Sequence, residues 1–133
     1  MQMARLRHFH TGGTVHIVCN NQIGFTCDPE DARSTPYASD IGKAFQAPVF
    51  HVNADEAEAV VQVMRIALAY RQRWNQDVYI DLLGYRKYGH NEGDEPMFTQ
   101  PQLYKAIAKH DNPFKLYTDR LVADGSMKQE EVE

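Results

Sequence analysis

Long apolar runs and an excess of basic residues are both absent from this chain. No apolar stretch approaches the roughly 20 residues that a membrane-spanning helix needs. The charged residues number 14 basic and 18 acidic, for a net charge of −4. This weakly acidic balance provides no basic face of the kind that binds nucleic acid or an anionic membrane. We therefore expect neither nucleic acid nor a membrane among the partners.

Cysteine is also scarce, with only two in the chain. Cys19 falls in an apolar segment and Cys27 in the polar stretch that follows it. Their spacing fits no zinc motif, and nothing else indicates a disulfide-stapled secreted scaffold. We expect two thiols in a reducing compartment.

The glycine pattern of a dinucleotide-binding turn is missing. Gly12 and Gly13 lie before the first apolar segment rather than after it, and they lack the G-x-G-x-x-G spacing. A Rossmann-type site is therefore not supported. What remains is a globular composition, 43% hydrophobic and 11% aromatic, which at 133 residues allows one domain at most.

Three apolar segments rich in β-branched residues predict strands. The first begins at Val15 and stops at Asn20-Asn21, the second covers Val49–Asn53 and the third Val78–Leu83. A helix is predicted between the last two, from Glu56 to about Trp74, and strand, helix and strand at this spacing indicate a parallel βαβ unit. The fold class is α/β, with a parallel sheet and flanking helices.

Helix signals complete the prediction of local structure. Asp55 is the expected N-cap of the long helix, and shorter helices are predicted over 40–47, 102–109 and 113–123, the last capped by Asn112. The apolar stripe of the long helix is predicted to comprise Val60, Val61, Met64, Ala67, Leu68 and Arg71.

The two ends of the chain differ from its centre. Residues 1–10 have no clear periodicity, and we treat them as an atypical N-terminal segment. At the other end, Ser126 and Gln129 have the spacing of a capping box, so 126–133 are predicted to start a helix that is cut short. We expect a fragment of a longer protein, with residues 11–125 as its main folded part.

Two polar stretches follow predicted strands and carry the candidate chemistry. The amide oxygen of Asn21 suits a hard cation such as Mg²⁺, but one side chain is not a site, and on the residues alone an ordinary Asn-rich turn is the favoured interpretation. The loop 84–96 combines Arg86 and a glycine-flanked His90, which suit a diphosphate or acid–base chemistry. A histidine in a mobile surface loop is the alternative. His16 and His51 lie within strands and are expected to be packed, and Asp81 is expected to be a hydrogen-bonded sheet residue.

Taken together, these stretches resemble the E1 components of 2-oxo acid dehydrogenases that use 2-oxoglutarate. The resemblance runs from about Thr11 to Leu121. The motifs that carry it are Thr11-Gly12-Gly13-Thr14, Asn20-Asn21-Gln22-Ile23-Gly24-Phe25-Thr26, Asp31-Ala32-Arg33-Ser34, Phe50-His51-Val52-Asn53, Tyr85-Arg86-Lys87-Tyr88-Gly89-His90-Asn91-Glu92, Asp94-Glu95-Pro96 and Thr99-Gln100-Pro101.

The resemblance implies a cofactor, thiamine diphosphate with Mg²⁺, and the C-terminal part of the domain that binds its diphosphate. Asn21 and the main-chain carbonyl of Ile23 match metal ligands, with Gln22 between them at the cofactor. His90 matches a histidine near the diphosphate with a catalytic role, and Arg86 is a weaker match to a cofactor-binding residue.

The same resemblance implies the setting of the reaction. Such enzymes decarboxylate a 2-oxo acid and pass the acyl group to a lipoyl-bearing E2 component. The parent enzyme is a homodimer in the bacterial cytoplasm, or in the mitochondrial matrix of a eukaryote. A 2-oxoadipate-type E1 has very similar motifs, and a non-catalytic phosphate- or metal-binding α/β module is a further alternative.

The family's Gly-Asp-Gly metal segment and its activating glutamate have no counterpart in this sequence. We therefore predict that the 133-residue chain alone does not catalyse thiamine-dependent decarboxylation. Release of CO₂ from 2-oxoglutarate, measured with the purified chain, thiamine diphosphate and Mg²⁺, should not exceed the rate without protein. Turnover above that background would contradict the prediction.

Overall fold

The computed structural model describes residues 1–132 and has a three-stranded parallel sheet at its centre. The strands are β1 (Val15–Asn20), β2 (Val49–Asn53) and β3 (Val78–Leu83), in the order β1-β3-β2. The predicted α/β class with a parallel sheet is confirmed. The bounds of β2 and β3 are as predicted, whereas β1 includes Asn20, which pairs with Leu83.

Helices and short turns surround this sheet. No helix within residues 1–132 combines the length and the apolar character that crossing a bilayer requires. The helices are α1 (Pro29–Ala32), α2 (Ile41–Ala44), α3 (Ala57–Trp74), α4 (Pro101–Ile107) and α5 (Pro113–Ala123), with 3₁₀ turns at Ala38–Asp40 and Gln129–Glu131.

One face of the sheet packs against α3 and forms the apolar core. Val52, Ala67, Val78 and Ile80 are buried together there. β3 is the middle strand, paired on both edges, and its first four residues are buried, which suits its β-branched Val78 and Ile80.

The predicted stripe of α3 is partly wrong. Val60, Met64 and Ala67 do pack against the sheet, but Val61 and Leu68 are about half exposed. Val63 and Tyr70, which the prediction left out, pack there instead. Apolar residues occur around most of this helix, and periodicity therefore does not determine which of them face the sheet.

The opposite face of the sheet is partly polar and lies under the Ala38–Asp40 turn and α2. Asp81, 2% exposed, accepts hydrogen bonds at Oδ2 from His51 Nδ1 (2.8 Å) and Ser39 Oγ (3.3 Å). His16 stacks on Tyr79 with ring centroids 4.4 Å apart. The expected packing of His16 and the hydrogen-bonded role of Asp81 are confirmed, whereas His51 contacts Asp81 but is exposed.

Two predicted caps are wrong and one is right. Asp55 does not cap α3, because its carboxylate accepts a hydrogen bond from His110 Nε2 (2.8 Å) and Glu56 occupies the N-cap position. Ser126 is not a cap either, since the final 3₁₀ turn begins after Lys128. Asn112 does cap α5, its side chain accepting from the Lys115 N–H at 2.9 Å.

Residues 1–10 contain turns but no helix or strand. Their one anchor of note is Arg5, whose guanidinium donates to the carbonyls of Phe45 (3.1 Å) and Gln46 (2.7 Å), just after α2. A cation at the carbonyl end of a helix is favourable, so this segment is held against α2.

Close packing of α2 on the sheet predicts a sensitive position at Gly42. A Cβ at Gly42 would lie 2.8 Å from the ring of Tyr79 and 3.0 Å from Val49 Cγ2. Because the Tyr79 ring is buried and cannot retreat, Gly42→Ala should lower the free energy of unfolding by about 1–3 kcal/mol. Urea denaturation measures this.

The matched control is Gly84→Ala. A Cβ there would meet Ala54 Cβ at 3.6 Å, an ordinary contact, and its effect should stay within about 0.5 kcal/mol. Equal effects of the two substitutions would mean that packing of α2 on Tyr79 is not the constraint.

Candidate functional site

The loops that follow β1 and β3 are joined where they leave the sheet. The Gly84 N–H donates to the carbonyl of Asn20 (2.8 Å), and Gln22 Nε2 donates to the carbonyl of Gly84 (2.8 Å). The carboxyl ends of neighbouring parallel strands are where open α/β sheets place ligands. The predicted convergence of the two polar stretches at one end of the sheet is confirmed.

Side-chain oxygens shape the turn after β1. Asn20 Oδ1 accepts from the Gln22 N–H, and Asn21 Oδ1 from the Ile23 N–H, both at 3.1 Å. Gln22 has φ +61°, a left-handed conformation, between these two bonds. Each asparagine thus makes the short local hydrogen bond typical of an Asx turn. This fixes the backbone of Asn21–Ile23 beside the sheet edge.

His90 lies against this turn through an aromatic contact. Its ring and that of Phe25 have centroids 4.7 Å apart, with planes inclined at 44°. The two rings line a cavity of about 230 Å³ with Ile23. The other residues around this cavity are Gly93, Asp94, Glu95, Pro96, Phe98, Thr99 and Gln100.

His90 also lines a second cavity, of about 430 Å³. The loop from Arg86 to Glu92 lines it, and the side chains of Arg86 and Lys87 are exposed. Lys87 Nζ lies 5.5 Å from the centre of the Tyr88 ring, in a cation–π contact. His90 therefore borders both cavities: Asp94 and Glu95 line the first, and Arg86 and Lys87 line the second together with Glu92.

Local hydrogen bonds hold the remainder of this loop. The Asn91 N–H donates to Asp94 Oδ2 (3.0 Å), and the Gly93 N–H donates to Asn91 Oδ1 (2.8 Å). Gly89 is buried and has φ +83°, a conformation that favours glycine, and Pro96 packs against it.

Of the five site residues predicted from the sequence, three line a cavity and two do not. Ile23 and His90 meet at the first cavity, and Arg86 and His90 line the second. Asn21 and Gln22 line neither, although they form the turn that carries Ile23. No group of three or more His, Cys, Asp or Glu side chains within residues 1–132 could hold a metal ion.

The polar groups at the opposite end of the strands serve the fold. Asp77 accepts from the Thr14 N–H and from His16 Nε2, both at 3.0 Å, and so joins β1 to β3. Burial raises the pKa of the Tyr79 phenol, and the negative charge of Asp77 raises it further. The structural role expected for His16 agrees with these contacts.

The comparison with protein families covers the entire sequence. The family described as "Dehydrogenase E1 component" matches residues 1–133. The chain belongs to this E1 family.

Individual E1 relatives resemble the chain closely over a small part of their length. The mitochondrial 2-oxoglutarate dehydrogenase of Schizosaccharomyces pombe is 54% identical over 94% of this chain and 12% of its own. The 2-oxoglutarate dehydrogenase E1 components of Exiguobacterium sp. and Azotobacter vinelandii are each 53% identical, over 98% and 99% of this chain and 14% of their own. The chain therefore spans 12–14% of the length of these E1 relatives.

Three residues of the candidate site were not predicted from the sequence as site residues. Phe25 packs on His90, Gln100 Nε2 donates to the carbonyl of Phe25, and the Tyr104 hydroxyl donates to the carbonyl of Arg86 (2.9 Å). These contacts join segments far apart in the chain, which periodicity does not reveal. Phe25 and Gln100 do lie within two motifs of the family resemblance, Asn20–Thr26 and Thr99–Pro101, whereas Tyr104 lies in none.

The backbone at Gly89 gives a test of the loop conformation. Gly89→Ala places a Cβ 3.2 Å from Pro96 Cγ at a positive φ, so the local structure should lose about 1 kcal/mol or more. Hydrogen exchange of the Asn91 amide, which is bonded to Asp94, should then accelerate about fivefold.

Gly93→Ala is the control in the same loop. Its Cβ would lie 3.4 Å from Asn91 Oδ1, and the Gly93 φ is not positive, so exchange of the Asn91 amide should change little. Unchanged exchange in Gly89→Ala would be evidence against the described conformation of the loop.

Proposed function

We propose that this chain is part of the E1 component of a 2-oxoglutarate dehydrogenase, and that it holds the diphosphate end of thiamine diphosphate. One observation carries the proposal. Ile23, whose N–H is bonded to Asn21 Oδ1, and His90 line one cavity at the carboxyl edge of a parallel sheet. The names of the E1 relatives, all of them 2-oxoglutarate dehydrogenases, favour this substrate over 2-oxoadipate.

The oxygens of the Asn21–Ile23 turn fit a magnesium ion. Asn21 Oδ1 uses one lone pair on the Ile23 N–H, and a carboxamide oxygen has a second available. The carbonyl of Ile23 accepts no hydrogen bond from the residues that the structure describes. Neutral oxygens of this kind are suitable ligands for Mg²⁺, which keeps some waters and takes phosphate oxygens as well. Asn21 and Ile23 are the proposed metal ligands.

The loop after β3 fits the diphosphate itself. Arg86 and Lys87 are exposed at the second cavity, and Arg86 offers a planar donor group that matches phosphate oxygens. His90 lines this cavity and also the first one, which Ile23 lines. We assign Arg86 and His90 to cofactor binding, with His90 able to donate or accept a proton beside it. Gln22 supports the site by joining the two loops through the carbonyl of Gly84.

The cofactor, when bound, supplies the electron sink for loss of CO₂ from the 2-oxo acid. This chain's share is to orient the cofactor and to neutralise its diphosphate. Asn21 and Ile23 are neutral and supply only part of a magnesium shell. We infer that the remaining metal ligands and the groups around the aminopyrimidine come from other parts of the enzyme, including a second subunit of a homodimer.

The partners proposed for the assembled enzyme follow from this role. They are the 2-oxo acid substrate and the lipoyl-bearing E2 component that receives the acyl group. The relatives named above include a mitochondrial enzyme and bacterial ones. The compartment we propose is the bacterial cytoplasm, or the mitochondrial matrix if the source is eukaryotic.

Calorimetric titration tests the proposed metal ligand. Thiamine diphosphate should bind the chain only with Mg²⁺ present, and Asn21→Ala should weaken that binding about tenfold or more, because the ion loses a coordinating oxygen. Asn53→Ala is the matched control. Asn53 Oδ1 makes the same local bond, to the Asp55 N–H at 3.1 Å, at the end of β2, on the other side of β3.

The outcomes separate the alternatives. Equal loss in Asn21→Ala and Asn53→Ala would mean that the turn, and not the metal, is responsible. Binding of inorganic pyrophosphate as tight as that of thiamine diphosphate would favour a phosphate-binding module. A chain that binds neither at millimolar concentration would contradict the proposal that it holds the diphosphate end.

A further inference from the structure

Helix α4 begins where the two candidate-site loops meet. We propose that Gln100 and Tyr104, at its start, are positioning residues that hold Phe25 against His90 and fix the backbone of Arg86. The importance of these contacts for the reaction depends on the proposed function. The contacts themselves do not.

Gln100 holds the Phe25 side of the aromatic contact. Its Nε2 donates to the carbonyl of Phe25, and its Oε1 accepts from the Thr99 hydroxyl. Both ends of the carboxamide are thus engaged, so its orientation is determined by its neighbours. Phe25 has φ +57°, an unfavourable conformation for an aromatic residue, and a bond to its carbonyl helps to maintain it.

Gln100 also holds the His90 side. Its backbone N–H donates to the carbonyl of Pro96 (2.9 Å). Pro96 packs against Gly89, where even a Cβ would come within 3.2 Å of the proline ring, and Gly89 directly precedes His90. One residue therefore contacts both chain segments that bring the two rings together.

Tyr104 provides the second anchor, one helical turn later. Its side chain is buried, only 5% exposed, and its hydroxyl donates to the carbonyl of Arg86 at 2.9 Å. The Tyr104 N–H in turn donates to the carbonyl of Gln100 (3.1 Å). Residues four apart share one face of a helix, so a single rigid element holds the loops after both β1 and β3.

The NMR signal of the His90 ring reports directly whether Phe25 lies against it. In NMR spectra of the chain labelled at histidine carbon, the ring current of Phe25 should displace the His90 Cε1–H signal. Phe25→Leu supplies the undisplaced reference. We expect Gln100→Leu to move the signal at least halfway to that reference, and Tyr104→Phe to move it in the same direction by a smaller amount.

Gln102→Leu and Tyr117→Phe are the controls. Gln102 is exposed on α4, and the Tyr117 hydroxyl contacts Glu58 far from the site. Neither should move the His90 signal. The urea midpoints of Gln100→Leu, Tyr104→Phe and the two controls should fall by no more than the loss of one or two hydrogen bonds explains. This separates positioning from general loss of structure.

A His90 signal that stays at its wild-type position in both Gln100→Leu and Tyr104→Phe would overturn the proposal. Titration with inorganic pyrophosphate and Mg²⁺ then tests the link to function, and Gln100→Leu should weaken binding about fivefold. Displaced signals with no pyrophosphate binding by any variant would leave the positioning role standing and count against the proposed function instead.

Discussion

Pairing of β3 with a parallel strand on each side is the constraint on which the rest of the structure depends. The registers place Asn20 and Asn53 opposite the same residue, Leu83, so all three strands end at one level. The loops that follow must then leave the sheet side by side, and the bond between Gly84 and Asn20 joins two of them at once. A shift of one residue in either register would turn every side chain of that strand to the other face.

The two faces of the sheet are stabilised by different kinds of contact. The α3 face is closed by apolar burial around Ala67, which is fully buried. The other face uses hydrogen bonds and stacked rings, because α2 and its 3₁₀ turn are too short to cover a strand with apolar side chains alone. Asp81 is the clearest case, since a carboxylate 2% exposed is tolerable only with donors such as His51 and Ser39. This polar face keeps the strand ends aligned without contributing to either site cavity.

The sequence allowed the sheet to be predicted because its signals are local. β-branched runs bounded by polar residues identify strands, and Asn75 in a left-handed conformation ends α3 where the prediction expected. The face of α3 was predicted less well, since Val61 and Leu68 satisfy the period yet point away from the core. Asp55 has the position of a cap, but the distant His110 takes its carboxylate instead. Contacts between residues far apart in the chain decide such cases, and one sequence carries no record of them.

In the candidate site, too, local signals were predictable and contacts between distant residues were not. Asn21, Ile23, Arg86 and His90 were identifiable from loop chemistry and from the family resemblance, while the contacts of Gln100 and Tyr104 were not. The charged residues that line the two cavities have a further electrostatic consequence. The cavity beside Phe25 is lined by Asp94 and Glu95, which repel an anion, whereas the neighbouring cavity is lined by two cations, Arg86 and Lys87, and one carboxylate, Glu92.

Under the proposed function, a diphosphate would favour Arg86 and Lys87 over the carboxylates beside Phe25. Asn21 and Ile23 would offer it only neutral oxygens, so a Mg²⁺ ion held by those oxygens would supply the positive charge that they lack. His90 lines both cavities. Its contact with Phe25, which Gln100 is proposed to support, would then determine how far apart the two halves of the site are.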